Sequence, residues 1–185
     1  MRVIAGKYKN RKLKTVADNS VRPATDKVKG AIFNMLQSRV DWTASRVLDL
    51  YAGSGSVGIE ALSRGARQVI FVENSRSAIR YLNMNLESIG TNGSAQVVNQ
   101  DVERFLRGLT TRFNVVFADP PYAMARLSDL PSMIFERDII ARDGYVVIEH
   151  PSRFEFTPSS LWDVVVRKQY GRTSVSIFQQ TPADV

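Results

Sequence analysis

The chain contains no cysteine and one histidine, His150. Without cysteine there are no disulfides, no thiolate metal ligands and no cysteine nucleophile. With only one histidine besides, a zinc site has nothing to draw on. No apolar run approaches the ~20 residues that span a bilayer. The opening MRVIAGK lacks the apolar core of a signal peptide, so a cytoplasmic location is expected, with no membrane and no metal. Acidic charge is scarce at one end. Residues 1–46 hold 11 Lys and Arg against 3 Asp and Glu, whereas residues 47–185 hold 14 against 15. The net charge of +7 therefore resides in the N-terminal quarter. Such a segment suits a polyanionic partner; the competing explanation is a solvated basic tail.

What is present fits one domain with a small appendage: 185 residues, 44% of them hydrophobic. From Arg46 onward strand and helix patterns alternate. The spacing predicts strands at 47–51, 68–73, 95–99, 113–118 and 144–149, then a strand pair around 164–166 and 175–178. Helices are predicted at 57–64, 75–88, 102–108 and 126–140. This is an α/β fold, a doubly wound and mostly parallel seven-stranded sheet with one antiparallel edge strand. Residues 1–40 form a basic hairpin and helix (26–38), and residues 41–181 form the main domain. Arg2–Ala5 and Arg11–Lys14 read as two short strands. Arg2, Lys7, Lys9, Arg11, Lys12 and Lys14 supply charge along this hairpin, and Tyr8 offers a stacking face to a nucleic acid. Arg22 sits extended before Pro23, and Thr25 is a natural helix cap.

The chain is organised around Val47-Leu48-Asp49-Leu50-Tyr51-Ala52-Gly53-Ser54-Gly55-Ser56-Val57-Gly58. A buried strand runs into a glycine turn and a helix, the entry of a nucleotide-binding unit. Gly53-x-Gly55-x-x-Gly58 fits the dinucleotide fingerprint, and Glu73 follows 20 residues after Gly53, where a ribose would be held. A nicotinamide dehydrogenase is one reading of these residues. Asp49 favours another: a carboxylate at this strand end would repel a pyrophosphate but suits the ammonium of S-adenosylmethionine. Asp49, Gly53, Glu73, Asp101 and Asp119 all fall at strand carboxyl ends, which gather at one rim of such a sheet. Asp101 there either accepts from an adenine amine or caps the helix that follows it, or does both.

Asp119-Pro120-Pro121-Tyr122 carries the second chemistry. The prolines remove two N–H donors and stiffen the loop, leaving the Asp119 carboxylate and the Pro120 carbonyl as acceptors. Two fixed acceptors suit a substrate NH2. Hydrogen bonds from both protons localise the nitrogen lone pair, so that the amine can attack a methyl sulfonium in line. Tyr122 would stack on the base.

With these motifs in place, the chain resembles the bacterial 16S ribosomal RNA guanine-N2 methyltransferase family of the RsmD type, over almost its full length. The resemblance rests on Arg2–Gly6, Arg22–Val28 with Phe33-Asn34, Asp49–Gly58 continued through Ala66, and Asp119–Tyr122. It implies a class I methyltransferase fold, S-adenosylmethionine as donor, S-adenosylhomocysteine as product and a guanine amine of 16S rRNA as acceptor. The RNA would be free or part of a small-subunit assembly intermediate; the oligomeric state is left open, and an enzyme approaching a large RNA could work as a monomer. By positional match Asp49, Tyr51, Gly53, Ser54 and Gly55 would line the methionine end. Glu73 with Asn74 would take the ribose, Asp101 with Val102 the adenine, and Asp119, Pro120, Pro121 and Tyr122 the guanine, Asp119 also touching the donor. Ala24, Tyr51 and Tyr122 depart from the family's common residues, the two tyrosines standing where phenylalanine is frequent. An amino-methyltransferase acting on other RNA or on DNA, and a non-catalytic ribosome-assembly RNA binder, remain as alternatives.

Overall fold

The computed structural model describes residues 1–15, 26–91 and 93–182. Arg22 and Thr25, two of the expected RNA contacts, lie outside the described residues. Helix α1 (Asp26–Leu36) precedes the alternating part: β1 (Arg46–Leu50), α2 (Ser56–Ser63), β2 (Gln68–Glu73), α3 (Arg76–Ile89), β3 (Ala95–Asn99), α4 (Val102–Arg107) and β4 (Phe113–Ala118). A short helix α5 (Leu130–Phe135) and the strands β5 (Ile140–Pro151), β6 (Trp162–Tyr170) and β7 (Thr173–Gln180) complete it.

The seven strands lie in the order β3-β2-β1-β4-β5-β7-β6. The first five are parallel, and β7 runs against both of its neighbours. The reversed strand is thus set one place in from the rim, with β6 outermost. The central strands are apolar on both faces because helices cover both. Val47, Val115 and Phe117 pack toward α1, α2 and α3, while Leu48, Leu50 and Val116 pack toward α4 and α5. Burying each such side chain contributes about 1.5–3 kcal/mol. The strand order reverses between β1 and β4, which are parallel neighbours. The crevice of a doubly wound sheet opens at that point, outside the strand carboxyl ends.

The N-terminal segment is built into this body. Arg2 and Lys12 form one antiparallel bridge, and the Val3 and Leu13 side chains are buried in the main core. Glu60 of α2 is fully buried, and its carboxylate accepts the backbone N–H groups of Ile4 at 2.7 Å and Ala5 at 3.0 Å. Arg64 donates to the same carboxylate at 2.9 Å, and the buried Lys29 ammonium lies 3.9 Å away. Lys29 also donates to the Arg2 carbonyl at 2.7 Å and to Ser56 Oγ at 3.0 Å. Asn85 of α3 fastens the far end, accepting from Lys14 N and donating to Lys14 O. Gly6 has φ +81°, and a Cβ there would sit 1.8 Å from the Ser63 carbonyl oxygen, so only glycine permits this close approach.

The helix expected at 126–140 is shorter than its pattern. Leu127–Asp129 make a single 3-10 turn and α5 stops at Phe135. Asp138 adopts φ +52°, and Ile140 then starts β5 opposite Phe113. The apolar spacing of Leu127, Leu130 and Ile134 continues by coincidence into Ile139-Ile140, which are buried as the entry to a strand.

Candidate active site

The parallel register sets the strand ends in one row. Glu73 pairs with Asn99. Leu50 pairs with both Val72 and Ala118, and Ala118 with Ile148. One residue further along each strand therefore come Glu73, Tyr51, Asp119 and Glu149, side by side at the carboxyl rim. Asp49 lies one pleat below, paired with Phe71 and Phe117.

The glycine turn is shaped by specific contacts. Tyr51 has φ +57°, an uncommon conformation for a residue with a bulky side chain and one that concentrates at functional sites. A Cβ on Gly55 would stand 2.3 Å from Leu82 Cδ1, and one on Gly58 would stand 2.3 Å from Phe71 Cε1 and 2.9 Å from Asp49 Oδ2. The helix α2 can therefore approach β1 closely enough for Gly58 N–H to donate to Asp49 Oδ2 at 2.9 Å. Asp49 is 4% exposed, and burial pushes its carboxyl up to about 8, against the opposing pull of the Gly58 bond.

Glu73 organises the loop rather than standing open. Its Oε2 accepts from Gly53 N–H at 2.8 Å, and its Oε1 accepts from the N–H groups of Asn74 and Ser75, each at 2.8 Å. A carboxylate has about four lone-pair sites, so roughly one remains for a ligand hydroxyl. Asn74 is exposed beside it. Ser54 lends its carbonyl to Asn85. Asp101 realises its capping role, accepting from Arg104 N–H at 3.0 Å at the head of α4, and Val102 behind it is buried.

Asp119 follows β4 at the centre of the row. Burial, then the nearby carboxylates of Glu149 and Asp49, push it well above the ordinary aspartate range. Pro120 is buried, Pro121 is exposed, and Tyr122 is 40% exposed with its hydroxyl 2.7 Å from Thr173 Oγ1. The Tyr51 hydroxyl meets Met124 sulfur at 3.5 Å, which ties the glycine turn to the segment after the prolines. Burial, with Asp101 and Glu103 nearby, raises the Tyr51 phenol to about 12, so it stays protonated.

Two residues of this constellation escaped the sequence reading. Glu149 reads as the tail of an apolar strand, and Thr173 as the start of an edge strand; only the register brings both to the Pro-Pro loop. The candidate RNA contacts Arg2, Lys7, Lys9, Arg11, Lys12 and Lys14 are all exposed. Tyr8 is half-buried against the core, with Lys7 Nζ 5.3 Å from its ring centroid, so part of its expected stacking face is taken. Among the described residues no group of three or more His, Asp or Glu side chains is placed to hold a metal, and no helix is long and apolar enough to cross a membrane. A small pocket beside α4 and α5 is lined by Glu103, Arg107, Arg126 and Glu136.

Comparison with known proteins agrees with this geometry. The family model described as Conserved hypothetical protein 95 matches residues 1–179. The Bacillus subtilis protein YlbH is 43% identical, the match covering 97% of this chain and 99% of that protein. The Haemophilus influenzae ribosomal RNA small subunit methyltransferase D is 31% identical, with 97% and 93% covered. The solved structure of the Escherichia coli protein yhhF superposes with a TM-score of 0.85 at 30% identity, covering 99% of each chain. The sheet order and helix placement are those of a class I methyltransferase. The chain therefore belongs to the Conserved hypothetical protein 95 family, the RsmD family in which ribosomal RNA small subunit methyltransferase D is found.

Proposed function

We propose that the protein transfers a methyl group from S-adenosylmethionine to the exocyclic N2 amine of a guanine in small-subunit ribosomal RNA. The observation that carries this reading is the shared rim. The glycine turn after β1 and the Pro-Pro loop after β4 leave adjacent parallel strands at the same level. The names of the curated relatives point to the same substrate class.

The residues at the rim fit the donor. Asp49 supplies a buried carboxylate for an ammonium, and the open N-terminal turn of α2 approaches without side-chain bulk. Glu73 keeps one lone pair for a ribose hydroxyl, and Asp101 and Val102 lie where an adenine would rest. Bound there, the donor supplies an electrophilic methyl on a sulfonium.

The chain's own residues do the rest. The Asp119 carboxylate and the Pro120 carbonyl accept hydrogen bonds from the two N2 protons and aim the nitrogen lone pair; as the N–CH3 bond forms and the S–CH3 bond breaks, one N2 proton leaves through Asp119 to solvent. A cation nearby favours the ionised form of Asp119, offsetting the burial that raises its pKa. The exposed face of Tyr122 takes the base once it has left its stack. Residues 1–40 act as the RNA-facing part and residues 41–181 as the transferase part, the exposed lysines and arginines lying along the phosphate backbone. A free RNA or an assembling small subunit, met by a monomer, fits a basic face of this size.

The experiment is methyl uptake by unmodified small-subunit RNA with the wild type and Asp119→Ala, alongside calorimetry with the donor. The variant should lose transfer by at least 100-fold and bind the donor within about threefold of wild type. Full activity in the variant would overturn the assignment, and uptake by DNA instead of RNA would redirect it.

A further inference from the structure

Asn85 of α3 joins the basic N-terminal segment to the glycine turn. It is 2% exposed. Its Oδ1 accepts from the Lys14 N–H at 2.8 Å, and its Nδ2 donates to the Lys14 carbonyl and to the Ser54 carbonyl, each at 2.9 Å. An amide NH2 has two protons, and here one goes to each stretch of chain. The reverse orientation would set the NH2 against the Lys14 N–H and the oxygen against two carbonyls, so these contacts fix which way the amide points. Leu82, three residues earlier on the same face of α3, presses on the turn as well: a Cβ on Gly55 would stand 2.3 Å from its Cδ1. A second link lies on the other side of Gly55. The buried Lys29 ammonium donates to Ser56 Oγ at 3.0 Å and to the Arg2 carbonyl at 2.7 Å. Arg2 and Lys14 stand on the two arms of one bridged segment, in which Arg2 pairs with Lys12 and the Leu13 N–H donates to the Met1 carbonyl at 3.0 Å. Ser54 and Ser56 thus each touch a side chain that holds the backbone of the segment expected to face RNA.

We propose that Asn85 is a positioning residue that couples donor binding to the grip on RNA. A donor seated at the turn narrows the range of Ser54 positions, which keeps the Ser54 carbonyl on the Asn85 amide and the amide on Lys14. The lysines and arginines of the segment are then held in one arrangement. RNA lying across the segment steadies the same bonds from the other end, and by linkage the effect is equal in both directions. The proposal rests on the function given above for the identity of the two ligands, whereas the bonded path from Ser54 to Lys14 stands without it. An amide that only stitched the chain together would hold Lys14 equally well with the turn filled or empty.

The test uses the full chain, unmodified small-subunit RNA and S-adenosylhomocysteine, which fills the donor site without turnover. The first arm follows hydrogen exchange of the Lys14 amide with no RNA present. Saturating S-adenosylhomocysteine should slow that exchange about fivefold or more in the wild type. An unchanged rate overturns the proposal. This arm needs no variant, so it decides the matter even if Asn85→Ala fails to fold. The second arm measures RNA affinity with and without S-adenosylhomocysteine. The wild type should bind RNA about tenfold more tightly with it, and in Asn85→Ala the gain should shrink to about twofold, carried by the Lys29 link. A merely structural role would weaken RNA binding by one factor in both conditions and leave the gain intact. That result overturns the proposal, as does a wild type with no gain. A wild type that binds S-adenosylhomocysteine and methylates no RNA would sink the function proposed above, while the Lys14 exchange rate still decides the coupling.

Discussion

Raising the pH from 6 to 7 should tighten S-adenosylmethionine binding about tenfold, with Asp49 as the cause. Its carboxyl is pushed up to about 8 by burial under α2. With that value about 1% of molecules carry an ionised Asp49 at pH 6 and about 10% at pH 7. A donor ammonium pairs with the ionised form, so binding must expel a proton across this window. Each pH unit is then worth about 1.4 kcal/mol. The gain ends near pH 8, where Asp49 is ionised without help and an α-amine begins to lose its own proton. The same shift has a stability consequence of opposite sense. A raised carboxyl favours the fold below its ordinary value of 3.8, and that advantage is lost as the pH climbs to about 8. Asp49→Asn keeps an oxygen for the Gly58 N–H but cannot titrate. It should bind the donor more weakly at pH 7, lose most of the pH dependence and resist urea better than the wild type at pH 9. Calorimetry at pH 6.0, 6.5 and 7.0, in two buffers of different ionisation heat, counts the released protons. Constant wild-type affinity without proton release refutes the reasoning, as does an undiminished slope in the variant.

Further outcomes follow from the docking of the N-terminal segment. Glu60→Ala should cost about 3–5 kcal/mol in urea unfolding, because it strands two backbone N–H groups and the buried Lys29 ammonium; a loss below 1 kcal/mol would show that Glu60 does not hold the segment. Gly6→Ala should expose the Lys7 amide, now bonded to the Ser63 carbonyl, to hydrogen exchange; unchanged protection would refute the close approach. Replacing Lys9, Arg11 and Lys12 by Gln should weaken RNA binding and reduce the slope of log affinity against log salt by up to about 3, without altering donor affinity. An unchanged slope would place the RNA elsewhere.

The centre of the sheet was legible because its strands are buried on both faces. Val115–Ala118 and Val69–Val72 are unbroken apolar runs closed by Asp119 and Glu73, and Gly65 and Gly90 follow the helices α2 and α3. The rim was legible because parallel strands deliver their carboxyl ends to one edge, whatever the exact register. Interactions depending on register or long-range contact were not. Glu60 and Asn85 read as ordinary helix residues, and nothing local reveals that they hold the backbone of residues 4, 5 and 14. Glu149 belongs to the site through the register of β5 on β4, and Thr173 because β7 folds back between β5 and β6. The hydroxyl of Tyr122 looked dispensable for stacking, whereas its bond to Thr173 gives it a use that a ring face lacks. The shortening of the fifth helix was hidden because helix and strand spacings coincide from Leu127 to Ile140.

The central claim is that one rim holds the methyl donor and presents a guanine amine to it. Nucleoside mass spectrometry of small-subunit RNA, after incubation with the wild-type protein and isotopically labelled S-adenosylmethionine, tests it most directly. The label should appear as N2-methylguanosine at a single position and be absent with Asp119→Ala. Label on another base or on a ring nitrogen, or no transfer by a protein that binds the donor, would contradict it.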